Sequence, residues 1–294
     1  MKVGVYGQSN NVNTIKYVDI LVSILGKSSI SIVFEKNFYS SFQEQKNHTI
    51  NFETFSDYED LDTSFDLFFS VGGDGTFLRS ITFVRDLNIP IIGINTGRLG
   101  FLATIQKEKI SQAIDQILKN QFTIQNRSLL CVKTNNKNKD LKNLSFALNE
   151  ISISRKNTAS MITVETKLDN EYLTTYWSDG LIISTPTGST GYSLSCGGPI
   201  ISPASKNLVL TPIAPHSLAV RPLVIPENTK IELKIESRDN EALMTLDSRI
   251  TTISNTTIIK IEKCDFTIKT IQLSNQTFIK TLREKLLWGE DKRN

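Results

Sequence analysis

Phe65-Asp66-Leu67-Phe68-Phe69-Ser70-Val71-Gly72-Gly73-Asp74-Gly75-Thr76-Phe77 is the stretch from which the fold can be read. Its first six residues form an apolar run of the kind that fills a buried strand. Leu78-Arg79-Ser80-Ile81-Thr82-Phe83-Val84 follows with helical character. Three glycines and one carboxylate therefore stand where a strand gives way to a helix, which in an open α/β sheet is where ligands bind. Glycines there let backbone N–H groups approach an anion, and the helix N-terminus adds a favourable dipole. A carboxylate among anions is unfavourable by charge unless it does chemistry, as a base or through a metal. The plainer reading is a tight βα turn, with glycines at positive φ and Asp74 or Thr76 capping the helix.

On either side of the turn, strand and helix patterns alternate. Residues 2–6 alternate into a strand, and Asn13 to Leu25 carries Ile15, Val18, Leu21, Val22 and Leu25 on one helical face before Gly26 ends it. Ile30 to Phe34 reads as a strand, residues 36–64 as polar with a short helix before Asn47 and a short strand over His48 to Phe52, and Pro90 to Asn95 as a buried strand. The segment from Ile105 to Leu118 is an amphipathic helix. Strands alternating with helices predict a parallel sheet covered by helices.

The pattern changes near residue 122. From there to about residue 272 helical periodicity is nearly absent, and β-rich runs recur between turn signals such as Asp169-Asn170 and Pro226-Glu227-Asn228. The runs are Ser128 to Thr134, Ser145 to Ser154, Ala159 to Leu168, Tyr172 to Trp177, Leu181 to Thr185, Leu208 to Ala214, Arg221 to Ile225, Lys230 to Glu236, Ala242 to Leu246, Thr256 to Ile261 and Phe266 to Leu273. The polar run at 135–140 reads as a solvated hairpin tip, and Thr277 to Trp288 as a closing helix. The organisation expected is an α/β domain with a Rossmann-like parallel sheet over 1–122, an all-β sandwich-like domain over 123–272, and a C-terminal helix over 273–294 packing back on the first domain.

Composition narrows the function. The chain has 294 residues, 39% hydrophobic and 21% charged, with a net charge of +3. Near balance and the lack of a basic patch with interleaved aromatics argue against nucleic acid. No stretch approaches the roughly 20 apolar residues of a membrane span. Cys131, Cys196 and Cys264 are far apart, without metal-ligand spacing and odd in number, which predicts reduced, buried thiols in a cytoplasmic protein.

Two further stretches bear on chemistry. Asn95-Thr96-Gly97-Arg98-Leu99-Gly100-Phe101-Leu102 follows the next parallel strand, so as a βα loop it faces the same crevice as Asp74. Ser178-Asp179-Gly180 leads a β run into the loop Thr185 to Ser195, rich in small residues and hydroxyls, with one aromatic. Hydroxyls and N–H groups suit phosphate and ribose, and Tyr192 can pack on a base or nicotinamide ring. Taken together, these motifs resemble the NAD kinase family, and the resemblance runs on through Pro212 to Val224. The glycine turn alone is shared with a wider superfamily that includes diacylglycerol and sphingosine kinases and phosphofructokinase.

The resemblance implies phosphoryl transfer from ATP to the 2′-hydroxyl of the adenosine ribose of NAD, giving NADP. Asp74 takes the general-base position, since a carboxylate within reach can accept the proton of a poorly nucleophilic hydroxyl. Donor phosphates lie over Gly72, Gly73 and Gly75; Arg79 either steadies an anionic substrate or is a solvated helix residue. Asn149 and Glu150 match the family's NAD-holding pair. Because neighbours on a regular strand point to opposite faces, the strand must bulge or end there if both touch ligand. Asp179 matches a nicotinamide-side acid, Thr187, Thr190, Gly191, Tyr192, Ser193, Leu194 and Ser195 the cofactor loop, and Ala214 a site near the adenine. The family often has alanine at Gly191, and Asp-Gly-Gln where this chain has Asp247-Ser248-Arg249, so Arg249 is given little weight as a ligand group. His216, in a Pro-His-Ser turn, reads as structural. Magnesium is expected to arrive on the donor nucleotide, and the assembly expected is a homodimer or homotetramer. The alternatives are a lipid kinase of the same superfamily and a non-catalytic NAD(P)-binding sensor.

Overall fold

A computed structural model describes residues 1–8, 12–46, 51–136, 144–157 and 160–287. The chain divides into two compact units, Met1–Asn126 with Ile268–Asn294, and Arg127–Thr267.

The first unit is an α/β layer structure. In chain order its elements are β1 (Lys2–Gly7), α1 (Val12–Gly26), β2 (Ser31–Glu35), α2 (Lys36–Lys46), β3 (Glu53–Phe55), β4 (Leu67–Gly72), α3 (Asp74–Val84), β5 (Ile91–Asn95), β6 (Ile105–Gln106) and α4 (Ile110–Leu118). The sheet runs β3-β2-β1-β4-β5, every neighbouring pair parallel. All of β4 and β5 is buried, as expected of parallel strands covered on both faces, and this is why their sequences read as continuous apolar runs. Phe34, Phe38, Phe42, Phe55, Phe68, Phe69 and Phe77 are fully buried. The register sets Gly72 opposite Asn95, so the glycine turn and the loop after β5 leave the sheet side by side. The strand expected over 48–52 falls mostly outside the described residues.

A long strand, β7 (Phe122–Thr134), leads into the second unit. There follow β8 (Phe146–Ala147), β9 (Glu150–Arg155), β10 (Ile162–Leu168), β11 (Glu171–Ser178), β12 (Gly180–Ser184), the short α5 (Tyr192–Ser195), β13 (Asn207–Ile213), β14 (Leu223–Pro226), β15 (Ile231–Glu236), β16 (Glu241–Leu246), β17 (Arg249–Ser254) and β18 (Ile258–Leu273). One sheet runs β14-β13-β12-β9-β16-β17, and β11, β10, β15 and β18 pair in that order in another. Ile151, Ile153, Leu181, Ile183 and Met244 from the first, with Val164, Leu233, Ile235 and Ile259 from the second, form one buried cluster, which makes the unit a sandwich. The chain closes with α6 (Phe278–Leu286), which belongs to the first unit. There the end of β18 also pairs with β5, Thr270 opposite Ile91.

The structure corrects the sequence reading in four places. The helix expected from Ile105 begins only at Ile110, Ile105–Gln106 being the short strand β6 paired with β5. The runs at 256–261 and 266–273 are one continuous strand, β18. β17 is a strand that the apolar pattern does not single out, because Ile250 faces outward and only Thr251 and Ile253 are buried. The expectation of three reduced thiols fails, since Cys131 and Cys264 form a disulfide, their Cα atoms 5.0 Å apart. Pairing of β7 with β18 brings these residues together across a sequence separation of 133, which no spacing rule detects. Cys196 is the free cysteine among the described residues. The bond also removes the cysteine-based argument for a cytoplasmic setting.

Candidate functional site

Asp74 is the first residue of α3, and Gly73 is its N-cap, with the Gly73 carbonyl accepting from Thr76 N at 3.0 Å. The Asp74 carboxylate is fixed by the loop after β5. Phe101 N donates to Oδ2 at 2.8 Å, and Leu102 N and Ala103 N donate to Oδ1 at 3.0 and 2.9 Å. Lys285, from α6, brings its Nζ to 3.6 Å from Oδ2. A carboxylate with so many donors is oriented before any substrate arrives.

The glycines divide by cause. A Cβ on Gly72 would stand 2.2 Å from Thr76 Oγ1, and one on Gly100 1.9 Å from Asp74 Oδ1, so both are glycine because the chain approaches itself. Gly73 and Gly75 would meet nothing within 4 Å, and none of the turn glycines has positive φ. The plainer reading, in which positive φ demands glycine, therefore fails. Gly75 is the second residue of α3, in its first turn. Arg79 lies exposed on α3 and bonds the Tyr6 hydroxyl. Burial, more than Arg79 opposes, pushes the Tyr6 phenol up.

In the second unit the strand does end at the Asn-Glu pair: β8 stops at Ala147 and β9 starts at Glu150. Asp247 holds this break. Its buried carboxylate accepts from Leu148 N at 2.9 Å, Asn149 N at 2.8 Å and Glu150 N at 3.3 Å. Asn149 Oδ1 and Glu150 Oε2 are buried without a hydrogen-bond partner, a rare condition that calls for an explanation. Burial, and then the charge of Asp247, push Glu150 up to about 8. Burial also raises Asp247, against its backbone donors and Arg249. The proton of this pair belongs on Glu150 and the charge on Asp247, because Asp247 has the donors and Arg249 Nη2 at 3.7 Å.

The loop from Thr185 to Ser195 packs on this pair. Thr185 Oγ1 donates to Leu148 O at 2.6 Å, Thr185 N donates to Asn149 O at 2.9 Å, and a Cβ on Gly191 would lie 3.1 Å from Glu150 Oε2. Several hydroxyls turn inward: Thr190 donates to Thr187 O at 3.2 Å, and Ser193 and Thr211 hydroxyls meet at 2.8 Å. Thr187 is buried, Leu194 half-buried, and Tyr192 and Ser195 exposed. Burial, then Cys196, Asp179 and Glu150, push the Tyr192 phenol up, which places both acids in its field. Asp179 pairs with Arg155 at 2.9 Å. Its N–H donates to Ile213 O at 2.9 Å, next to Ala214, which has a φ of 44°. The sequence residues of this unit thus fall in one cluster. His216 N donates to Trp177 O at 2.8 Å, a structural contact.

Sequence reasoning missed Asp247 as the anchor of the Asn-Glu break, Lys285 beside Asp74, and Arg155 beside Asp179. The Asp-Ser-Arg turn was the available signal for Asp247. Arg249 donates to Leu144 O at 2.7 Å and to Phe146 O, and lies 5.1 Å over the Phe146 ring, a bracing role. No group of three or more His, Cys, Asp or Glu side chains suited to a metal occurs among the described residues.

A pre-oriented carboxylate at a glycine turn, on an α/β unit joined to a β-sandwich, defines a phosphotransferase of the kinase class. Residues 3–122 match the ATP-NAD kinase N-terminal domain, and residues 148–273 match the ATP-NAD kinase C-terminal domain. The chain belongs to the NAD kinase family. It is 53% identical to an NAD kinase of Christiangramia forsetii and 52% identical to one of Flavobacterium psychrophilum, each over all of both chains. The fold is that of a yeast NADH kinase solved with NADH, with a TM-score of 0.88 and 21% identity over 99% of this chain and 88% of the other. An Archaeoglobus fulgidus NAD kinase solved with ATP gives a TM-score of 0.73 at 25% identity, over 98% of this chain and 97% of the other. No helix among the described residues is long and apolar enough to cross a membrane.

Proposed function

We propose that Asp74 accepts the proton of the 2′-hydroxyl of the adenosine ribose of NAD as that oxygen bonds to the γ-phosphorus of ATP. The bond from the γ-phosphorus to the β,γ-bridging oxygen breaks, and NADP and ADP leave. Orientation of the base supplies much of the rate in such a transfer. The reading rests on one observation: Asp74 is fixed by three backbone N–H groups at a turn where Gly73 and Gly75 have no partner in the chain that requires glycine. Room for the donor's phosphates explains both glycines, with Gly72 shaping the turn. Arg79 stands exposed on the same helix to meet anionic substrate.

NAD is held in this reading by Asn149, Glu150, Asp179, Tyr192 and Ala214, with Thr187, Thr190, Gly191, Ser193, Leu194 and Ser195 shaping the loop beside them. The unpartnered Asn149 Oδ1 and Glu150 Oε2 await a ligand's hydroxyl or amine. Glu150, protonated at neutral pH, can also donate. Magnesium neutralises donor phosphate charge when bound. It fits here as an ion held by the nucleotide, since Asp74 is already engaged by backbone donors. Self-association into a dimer or tetramer is part of the reading, with Tyr172 and Trp177 exposed on the edge strand β11. A cytoplasmic setting is part of the reading. The test mixes purified protein with NAD, ATP and Mg²⁺ and measures NADP with an NADP-specific dehydrogenase. NADP formation supports the reading; its absence overturns it.

A further inference from the structure

Lys285 is the feature that the reaction above leaves unused. It lies in the last turn of α6, a helix tied to the loop that holds Asp74. Thr277 caps the helix by accepting from Lys280 N at 3.1 Å. Gln276 grips Thr104 twice, accepting from its hydroxyl at 2.9 Å and donating to its carbonyl at 3.0 Å. The Phe278 ring packs 6.3 Å from that of Phe101. Phe101 in turn serves both charges, its N–H bonding Asp74 and its ring lying 4.8 Å beneath the Lys285 ammonium.

The length of the pair matters. At 3.6 Å, Lys285 and Asp74 attract as ions but do not form a short hydrogen bond, so Asp74 does not consume the ammonium's donors. The lysine side chain is only a third exposed, and its stem is flexible enough to shift by an ångström or two. If Asp74 accepts the hydroxyl proton, the phosphoryl group bonding to that oxygen passes within a few ångströms of Asp74, and so within reach of Lys285. Carboxylate and phosphoryl group are both negative, and a cation touching each offsets their repulsion most when charge gathers in transfer.

We propose that Lys285 is a catalytic residue of this transfer, its ammonium bridging Asp74 and the phosphoryl group as the bond to the ribose oxygen forms and the bond to ADP breaks. The proposal rests on the reading of Asp74 given above. Lys285 moves no proton; it stabilises charge.

The test compares kcat and KM of the full chain with Lys285→Gln, Lys285→Arg and Arg283→Gln. Arg283 shares the last turn of α6, so its variant controls for the interaction of a cation with the helix C-terminus. Lys285→Gln is expected to lower kcat about 10²-fold, with KM for NAD little changed and melting temperature retained. Lys285→Arg is expected to recover part of the loss, and Arg283→Gln to behave as the parent. An unchanged or raised kcat in Lys285→Gln overturns the proposal, as does an equal loss in Arg283→Gln. Asp74→Asn in parallel separates the two readings. If it keeps turnover, the assignment of the base fails; if it is inactive while Lys285→Gln is unimpaired, only the role of Lys285 fails.

Discussion

Gly100 and Asp74 fit together so closely that a methyl group on Gly100 would stand 1.9 Å from Asp74 Oδ1 and 2.6 Å from its Cγ. The second loop is thus shaped around the carboxylate of the first. Gly100→Ala must push Asp74 aside or break its bonds to Phe101, Leu102 and Ala103. Misplacing a catalytic group by about 1 Å costs on the order of 10²-fold. The expected result is that loss in kcat with KM for NAD nearly unchanged, measured by NADP formation.

Asp74→Asn keeps the size of the side chain and removes the proposed base. Turnover is expected to fall by about 10²–10⁴-fold, while NAD affinity, read by calorimetry, stays close to that of the parent. Turnover near the parental rate would rule out Asp74 as the proton acceptor.

Asp247→Ala leaves the N–H groups of Leu148, Asn149 and Glu150 without their acceptor. An unsatisfied buried donor costs about 1–3 kcal/mol, so a stability loss of that order or greater is expected from urea denaturation. NAD affinity should fall too, because the Asn-Glu break loses its anchor. Unchanged stability and affinity would remove Asp247 from the account.

Glu150 supplies a pH dependence. Its folded value of about 8 lies above the ordinary 4.5, so the native chain holds a proton that the unfolded chain releases. Stability from this group is complete below about pH 4.5, falls as pH rises towards 8, and levels above that. Burial raises Asp247 in the same direction. Glu150→Gln should flatten the decline between pH 5 and 8, read as urea midpoints across that range. A parental slope in the variant would show that Glu150 is not the titrating group.

The Cys131–Cys264 bond closes a loop of 133 residues. On the chain-entropy account it stabilises by about 5 kcal/mol, so reduction should lower the melting temperature, and Cys131→Ser should match the reduced parent. Thiol titration of the unfolded oxidised chain should find one reactive group, Cys196.

What the sequence discloses depends on how local its physics is. The buried strand β4 and its turn were legible because an apolar run ending in glycines has few other meanings. Most sandwich strands announced themselves by composition and by the turns between them. The break at Asn149-Glu150 was expected only on the condition that both residues meet ligand, because neighbours along a strand point to opposite faces. Asp247 was opaque because its work is done on backbone groups almost a hundred residues away, through a side chain that looks like any turn aspartate. Lys285 gains its meaning only when α6 docks beside Phe101, and the disulfide only when β7 meets β18. The same limit explains the hydroxyl-rich loop, where composition could not say which hydroxyls turn inward, as Thr190 and Ser193 do.

The first unit is assembled from both ends of the chain, Met1–Asn126 and Ile268–Asn294. Its sheet gains the end of β18 beside β5, and Asp74 gains Lys285, only from the segment after the sandwich. On a translating ribosome, where domains commonly fold in order of synthesis, this unit must wait until residues from Ile268 onward have emerged. A nascent chain stalled in the sandwich would carry the glycine turn and still lack Lys285 and the end of β18, so the order of synthesis separates Asp74 in time from the cation beside it.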